Sequence, residues 1–406
     1  MRILSFGRYA LSISLDAALL AGCGGSQLPI GAPGAMQQRA GFVHRMVPGL
    51  SYRVLYRFRR HRTGDGTYPF AALIKLNGTL YNTTYGGGAN GYGTVFSITT
   101  TGTEKVLYSF GGGSDGENPD ASLVNMNGML YGTTSGGSGN GQGTVFSITT
   151  SGTEKVLHIF GGSSDGQSPR ASLINVNGTL YGTTFAGGAN GYGTVFSVTT
   201  TGTEKVLYSF AGYADGGSPL ASLINVNGAL YGTTDEGGGP GCGGFGCGTV
   251  FSITTTGAEK LLYSFAGGSD GESPQASLVD VRGTLYGTTY VGGANGHGTV
   301  FSVTTTGTEK VLHSFGGGSD GTFPVAGLIN AKGTLYGITK SGGANGYGTV
   351  FSITTTGTEK VLYSFAGGSD GENPLASLIN VNGALYGTTV EGGHRCRCGT
   401  VFALTP

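Results

Sequence analysis

The chain has 406 residues, 83 of them glycine, and its 22 basic and 22 acidic side chains leave no net charge. That balance lacks the basic footprint needed to neutralise nucleic-acid phosphates, so nucleic acid is not an expected partner. So much glycine would suit low-complexity disorder, but 38% of the residues are apolar. They recur at fixed offsets, which makes glycine punctuation between strands.

From the N-terminus, Arg2 and Arg8 form a basic start, followed by an apolar stretch from about Tyr9 to Leu20 interrupted by Asp16. Small residues then lead to Cys23, the pattern of a secretory signal over residues 1–22. Leu20-Ala21-Gly22-Cys23 resembles the bacterial lipobox, which implies acylation of Cys23 and a membrane attachment through that lipid. Cleavage elsewhere, as in an ordinary signal, is the alternative. Gly24 in place of aspartate after the cysteine favours the outer membrane or cell surface by resemblance to lipoprotein sorting. Residues 23–50 carry glycine, proline and glutamine without periodicity and read as a flexible tether.

Ser51–Phe58 is the first predicted strand. Arg57, Arg59, Arg60, His61 and Arg62 cluster at its end, either a solvated loop or a patch attracted to an anionic membrane. A repeat of about 50 residues then dominates the chain. Tyr-Gly-Thr-Thr or a variant begins at Tyr81, Tyr131, Tyr181, Tyr231, Tyr286, Tyr336 and Tyr386, and Gly-Thr-Val-Phe follows in each copy. One step is longer, with the extra residues around Cys242 and Cys247.

One copy shows the elements. Ala171 to Val176 is a short apolar strand ending at Asn177-Gly178, a dipeptide that supplies the positive φ of a tight hairpin. Thr179–Thr184 is the second strand, Gly193–Thr199 the third and Glu204–Phe210 the fourth, with a proline-containing exit loop to the next copy. No stretch keeps apolar residues at helical spacing. Alternation groups Val206, Tyr208 and Phe210 on one face of the fourth strand. Apolar groups on both faces require cover on both sides, which neighbouring blades in a ring provide. Four antiparallel strands per copy and seven copies predict an all-β, seven-bladed β-propeller. The chain opens with a fourth strand and closes with a third, Gly399–Leu404, so the N-terminal strand must complete the C-terminal blade and remove the sheet edges. A monomer is the expected state.

The unit ASLINVNGTLYGTT…GYGTVFSVTTTGTEKVLYSF resembles the choice-of-anchor tandem-repeat proteins called GloVer. The resemblance covers residues 51–406 and implies an exported bacterial repeat protein, without implying a chemistry. The Cys242–Cys247 stretch is similar to a cysteine-bearing variant of that unit.

Several residue sets are candidates for chemistry. Cys242 with Cys247 and Cys396 with Cys398 suit local disulfides in an oxidising compartment; with His394, the latter pair also has soft-ligand character, but a closed zinc site needs four ligands. An aspartate precedes glycine in every exit loop: Asp65, Asp115, Asp165, Asp215, Asp270, Asp320 and Asp370. Calcium would need more converging oxygens, whereas Asp-Gly is a turn pair. Glu-Lys at the start of the fourth strands, as in Glu204-Lys205, would keep outer edges charged. No cofactor is expected.

The informative positions are those that differ between otherwise uniform copies. After the exit-loop proline stand Phe70, Asp120, Arg170, Leu220, Gln275, Val325 and Leu375. After Tyr-Gly-Thr-Thr stand Tyr85, Ser135, Phe185, Asp235, Tyr290, Lys340 and Val390. Before Gly-Thr-Val-Phe stand Tyr92, Gln142, Tyr192, Cys247, His297, Tyr347 and Cys398. These loops share one face of a propeller, and function concentrates on loops held by rigid scaffolds. Tyr85, Tyr92, Asp120, Arg170, Phe185, Tyr192, Asp235, Tyr290, His297, Lys340 and Tyr347 are the candidate binding residues for a protein or glycan; drift at unconstrained loop sites would also give such variation. A binding scaffold is the leading expectation. An envelope enzyme acting on polysaccharide, with Asp120, Arg170 and Asp235 near the channel, and a purely structural surface-layer ring are the alternatives.

Overall fold

The computed structural model describes residues 49–406 apart from 60–63, 140 and 394. The signal segment, Cys23, nearly all of the tether, Arg60, His61, Arg62 and His394 therefore lie outside the described residues.

Seven four-stranded antiparallel sheets account for the strands of the repeats. In blade 3 the strands are Ile174–Val176, Thr179–Thr184, Thr194–Val198 and Glu204–Ser209, from the channel outward. The hairpin between the first two turns at Asn177 (φ 52) and Gly178 (φ 87), as the dipeptide requires. The first strand is shorter than the apolar run suggests, because Ala171 and Ser172 leave the ladder to line the channel while Leu173 turns into the core between blades. Among the described residues the one α-helical turn, Gly241–Gly244, occupies the longer loop of blade 4. No described helix is long and apolar enough to cross a membrane.

The two sequence motifs are explained by contacts between strands. The last threonine of Tyr-Gly-Thr-Thr shares a hydroxyl hydrogen bond with the threonine of Gly-Thr-Val-Phe, as in Thr184–Thr194 at 2.9 Å. The motif's glycine lets phenylalanine lie against the sheet. A Cβ at Gly182 would stand 2.7 Å from Cζ of Phe196. In blade 1 Asn82 replaces this glycine, and its buried amide donates to the Ala71 carbonyl at 2.8 Å.

The core lies between blades. Val195 and Phe210 of blade 3 pack with Leu223, Leu230 and Phe251 of blade 4. The phenylalanine ending each fourth strand meets edge-on that of the next blade's Gly-Thr-Val-Phe, as in Phe160–Phe196 at 5.1 Å between ring centres. Such a geometry adds about 0.5–1.5 kcal/mol beyond the burial itself.

The ring closes as expected. Ser51–Arg57 pairs antiparallel with Thr400–Thr405, the third strand of blade 7. Phe58 then meets Phe96 of blade 1 at 5.3 Å. Thr388 of blade 7 donates to the Ala71 carbonyl of blade 1 at 3.4 Å, the seam counterpart of the Thr83–Ala121 bond between blades 1 and 2, and also reaches the Pro69 carbonyl at 3.0 Å. The N-terminal strand therefore occupies a fourth-strand position in hydrogen bonding and in packing.

One expectation needs correction. The register of the fourth strand slips at Leu207, so that Val206 opposes Phe196 while Tyr208 opposes Val195. Residues opposite one another share a face, so Val206 and Tyr208 point to opposite faces rather than to one. The bulge recurs in every blade, including at Leu55 of the N-terminal strand. A bulge increases local twist, and it sets the Leu207 carbonyl against Gly257 in the turn of the next blade.

Candidate functional site

The bulge also aims the fourth-strand aromatic at the exit loop. Tyr263 donates to Asp270 at 2.8 Å, while the same carboxylate accepts the Ala266 amide at 2.7 Å. Tyr108–Asp115 and Tyr363–Asp370 repeat the arrangement, and His158 and His313 take the tyrosine's place against Asp165 and Asp320. The exit-loop aspartates thus act as turn residues bonded to their own backbone. The glutamate opening the next blade's fourth strand faces this pair. Glu154, Glu259 and Glu309 are pushed up to about 7, first by burial and then by Asp115, Asp215 and Asp270 respectively. Only the lysine of each Glu-Lys pair is exposed, as Lys205 is. The glutamate serves the blade interface instead of the outer edge.

At the inner end, the three residues after each exit-loop proline line a central cavity of about 130 Å³. Its wall is tied by backbone amides donating to serine hydroxyls one blade on, from Ala72 to Ser122 and then through Ser172 and Ser222 to Ser277. The first of the three residues is the variable one, so Phe70, Asp120, Arg170, Leu220, Gln275, Val325 and Leu375 form a ring at the mouth. Asp120 and Arg170 make one arc of it charged, and most of the remainder is apolar.

The second variable set stands directly behind this ring. Tyr85 meets Phe70 edge-on at 5.3 Å. Phe185 lies under the Arg170 guanidinium at 4.8 Å, a cation–π distance. Asp235 is buried and accepts the Gln275 side-chain amide at 3.0 Å, so it positions Gln275 rather than offering itself to a ligand. Tyr290 packs on Phe323 at 5.1 Å. Lys340 occupies the same position in blade 6, half-buried, with its backbone amide bonded to the Phe323 carbonyl.

The third set is not part of the mouth. Tyr92, Tyr192 and Tyr347 lie exposed over Gly112, Gly212 and Gly367, where the exit loops leave the outer strands, and His297 covers Gly317 likewise. None of these residues lines the cavity. The shared face expected from topology therefore divides into an inner site and an outer rim. Cys242 is joined to Cys247, and Cys396 to Cys398. Between the latter pair Arg397 bridges Glu372 and Glu391, which holds the loop of the closing blade.

Asp120 and Arg170 are the unusual members. Oδ1 of Asp120 and Nε of Arg170 are shut off from solvent and have no hydrogen-bond partner. Burial pushes the Asp120 pKa up to about 7 against the pull of Arg170. Buried polar atoms are normally satisfied; the Asp120 carboxyl is bonded to Ser135 and to its own backbone, which leaves Oδ1 as its unsatisfied oxygen. Sequence reasoning missed Phe323, which packs on Tyr290, although its signal, shared with Tyr68, was present. Both are bulky aromatics at φ 60 before the exit-loop proline, where other blades carry asparagine or serine such as Asn118 and Ser168. Backbone strain of this kind gathers at functional sites.

A family model described as the Gloeobacter/Verrucomicrobia repeat matches residues 17–245 and 241–406. The chain belongs to this repeat family. Comparison with curated proteins finds no match in sequence. Among solved structures, this Gloeobacter/Verrucomicrobia repeat protein is similar to the quinohemoprotein alcohol dehydrogenase of Comamonas testosteroni. That match has 12% identity and a TM-score of 0.50, over 87% of this chain and 76% of that one. A gluconolactonase of Xanthomonas campestris matches at 13% identity and a TM-score of 0.41, over 71% and 85%. A puromycin-hydrolyzing peptidase of Mycobacterium tuberculosis matches at 15% and 0.48, over 82% and 50%. At such identities the first likeness speaks to the fold alone, and the other two carry no argument.

Proposed function

We propose that this repeat protein is an exported binding module, anchored through Cys23, that takes the end of a glycan into the mouth of its central channel. The observation that carries the reading is the charged arc that Asp120 and Arg170 form in a ring of mostly apolar side chains at the mouth. They sit between the Phe70–Tyr85 pair and the Phe185 ring. A sugar hydroxyl can donate to the Asp120 carboxylate and accept from the Arg170 guanidinium where these side chains line the cavity, while the exposed Tyr85 ring covers the apolar side of the sugar. A preformed concavity with a few convergent polar side chains at its mouth is what small-ligand sites use.

The test is capture of the full chain on a glycan panel. Asp120→Asn and Arg170→Met are each expected to weaken capture at least tenfold, while Tyr192→Ala, on the outer rim, leaves it within twofold. Undiminished capture by both mouth variants would overturn the reading.

One observation favours a second reading. A carboxyl with its pKa near 7 beside an arginine suits general acid catalysis. Release of new reducing ends from the same panel, lost in Asp120→Asn, would assign catalysis; capture without release assigns binding alone.

A further inference from the structure

In five blades the fourth-strand side chain facing the exit-loop aspartate is a tyrosine: Tyr56, Tyr108, Tyr208, Tyr263 and Tyr363. A phenol donates one proton and completes the local hydrogen bonding. In blade 5 the residue is His313, whose Nε2 stands 3.3 Å from an oxygen of Asp320. Glu359, opening the fourth strand of blade 6, turns its carboxyl toward the same aspartate. The ligand atoms of His313, Asp320 and Glu359 all lie within 4.8 Å of one another. Oε1 of Glu359 is shielded from solvent and has no hydrogen-bond partner. Two carboxylates and one imidazole nitrogen thus converge on one point between blades.

The substitution changes the chemistry of the position. Tyrosine can only complete a proton network here, whereas imidazole is the commonest protein ligand for borderline divalent metals. One nitrogen and two carboxylate oxygens match the three-protein-ligand sites that leave further positions to water. All three residues are partly exposed, so an ion can enter and keep coordinated water. The other convergent group among the described residues, Cys242 and Cys247 with Glu272, has its sulfurs tied in a disulfide.

We propose that His313, Asp320 and Glu359 bind one divalent first-row transition-metal ion, of which Zn²⁺ is the representative, and that the ion clips blade 5 to blade 6. The site lies at the outer edge of the blades and does not depend on the glycan reading of the channel mouth.

The test strips the full chain with a chelator, without reductant, and titrates it with Zn²⁺ by calorimetry and with Co²⁺ by visible absorption. His313→Tyr installs the side chain that five other blades already carry, so folding is preserved. The wild type is expected to bind one equivalent more than His313→Tyr, with a Co²⁺ ligand-field band that this variant lacks. Glu359→Gln is expected to weaken binding at least tenfold. His158→Tyr, in the blade where the corresponding trio does not converge as closely, keeps the wild-type stoichiometry. Equal stoichiometry in the wild type and His313→Tyr, or no uptake by the wild type, would overturn the proposal.

Discussion

Replacing Glu309 by glutamine should stabilise the protein at alkaline pH and leave it nearly unchanged in mild acid. Glu309 faces Asp270 and Tyr263 across the interface of blades 4 and 5, and its pKa is raised from 4.5 to about 7, chiefly by burial. The folded state therefore holds this proton more tightly than the unfolded chain does. The stabilising contribution is complete below pH 4.5 and is lost as pH rises through 7. A fully shielded group with such a shift would lose on the order of 3 kcal/mol. Glu309 is only half shielded, and solvent screening reduces the figure to about 1 kcal/mol. Glu154, Glu204 and Glu259 occupy equivalent interfaces with the same direction of shift. Separate sites add, so the fourfold glutamine variant should gain about 3–4 kcal/mol at pH 8. The assay is urea unfolding of wild type and variant at pH 5 and pH 8. An equal change in midpoint at both pH values, or no gain at pH 8, would refute the reasoning.

Other predictions follow from the packing. Phe196→Ala removes a fully buried ring that spans two blades, and should cost about 3–5 kcal/mol in chemical unfolding. Gly182→Ala should cost about 1–3 kcal/mol, because its new methyl collides with Phe196 and Leu173. Removing Ser51–Phe58 strips blade 7 of its outer strand and bares the edge of Thr400–Thr405. Size-exclusion chromatography should then show aggregation in place of the wild-type peak.

The sequence made the ring legible because its signals are local and repeated. Asn-Gly hairpins, the threonine and phenylalanine of Gly-Thr-Val-Phe and the odd strand at each end all state the same architecture. The bulge at Leu207 was invisible because one extra residue leaves no mark on an alternating pattern. The Tyr–Asp–Glu clusters were missed for a different reason. Tyr263 and Asp270 are close in sequence, but Glu309 comes from the next repeat, and only the twist of the outer strand brings it to them. At the candidate site, variation between copies picked out loops that the structure divides between the channel mouth and an outer rim. The first set surrounds the channel because the residues after the proline leave the ladder. Tyr92, Tyr192 and Tyr347 lie outward because they cap the start of the exit loops. Asp235 looked like a free acid and is bound to Gln275, a pairing between blades that no single repeat reveals.

The most direct test of the account is a crystal structure of the full chain with a glycan captured from the panel. The ligand should lie at the channel mouth, within hydrogen-bonding distance of the Asp120 carboxylate and the Arg170 guanidinium and against Tyr85. A ligand seated on the outer rim over Tyr92, Tyr192 or Tyr347, or on the opposite face of the ring, would contradict it.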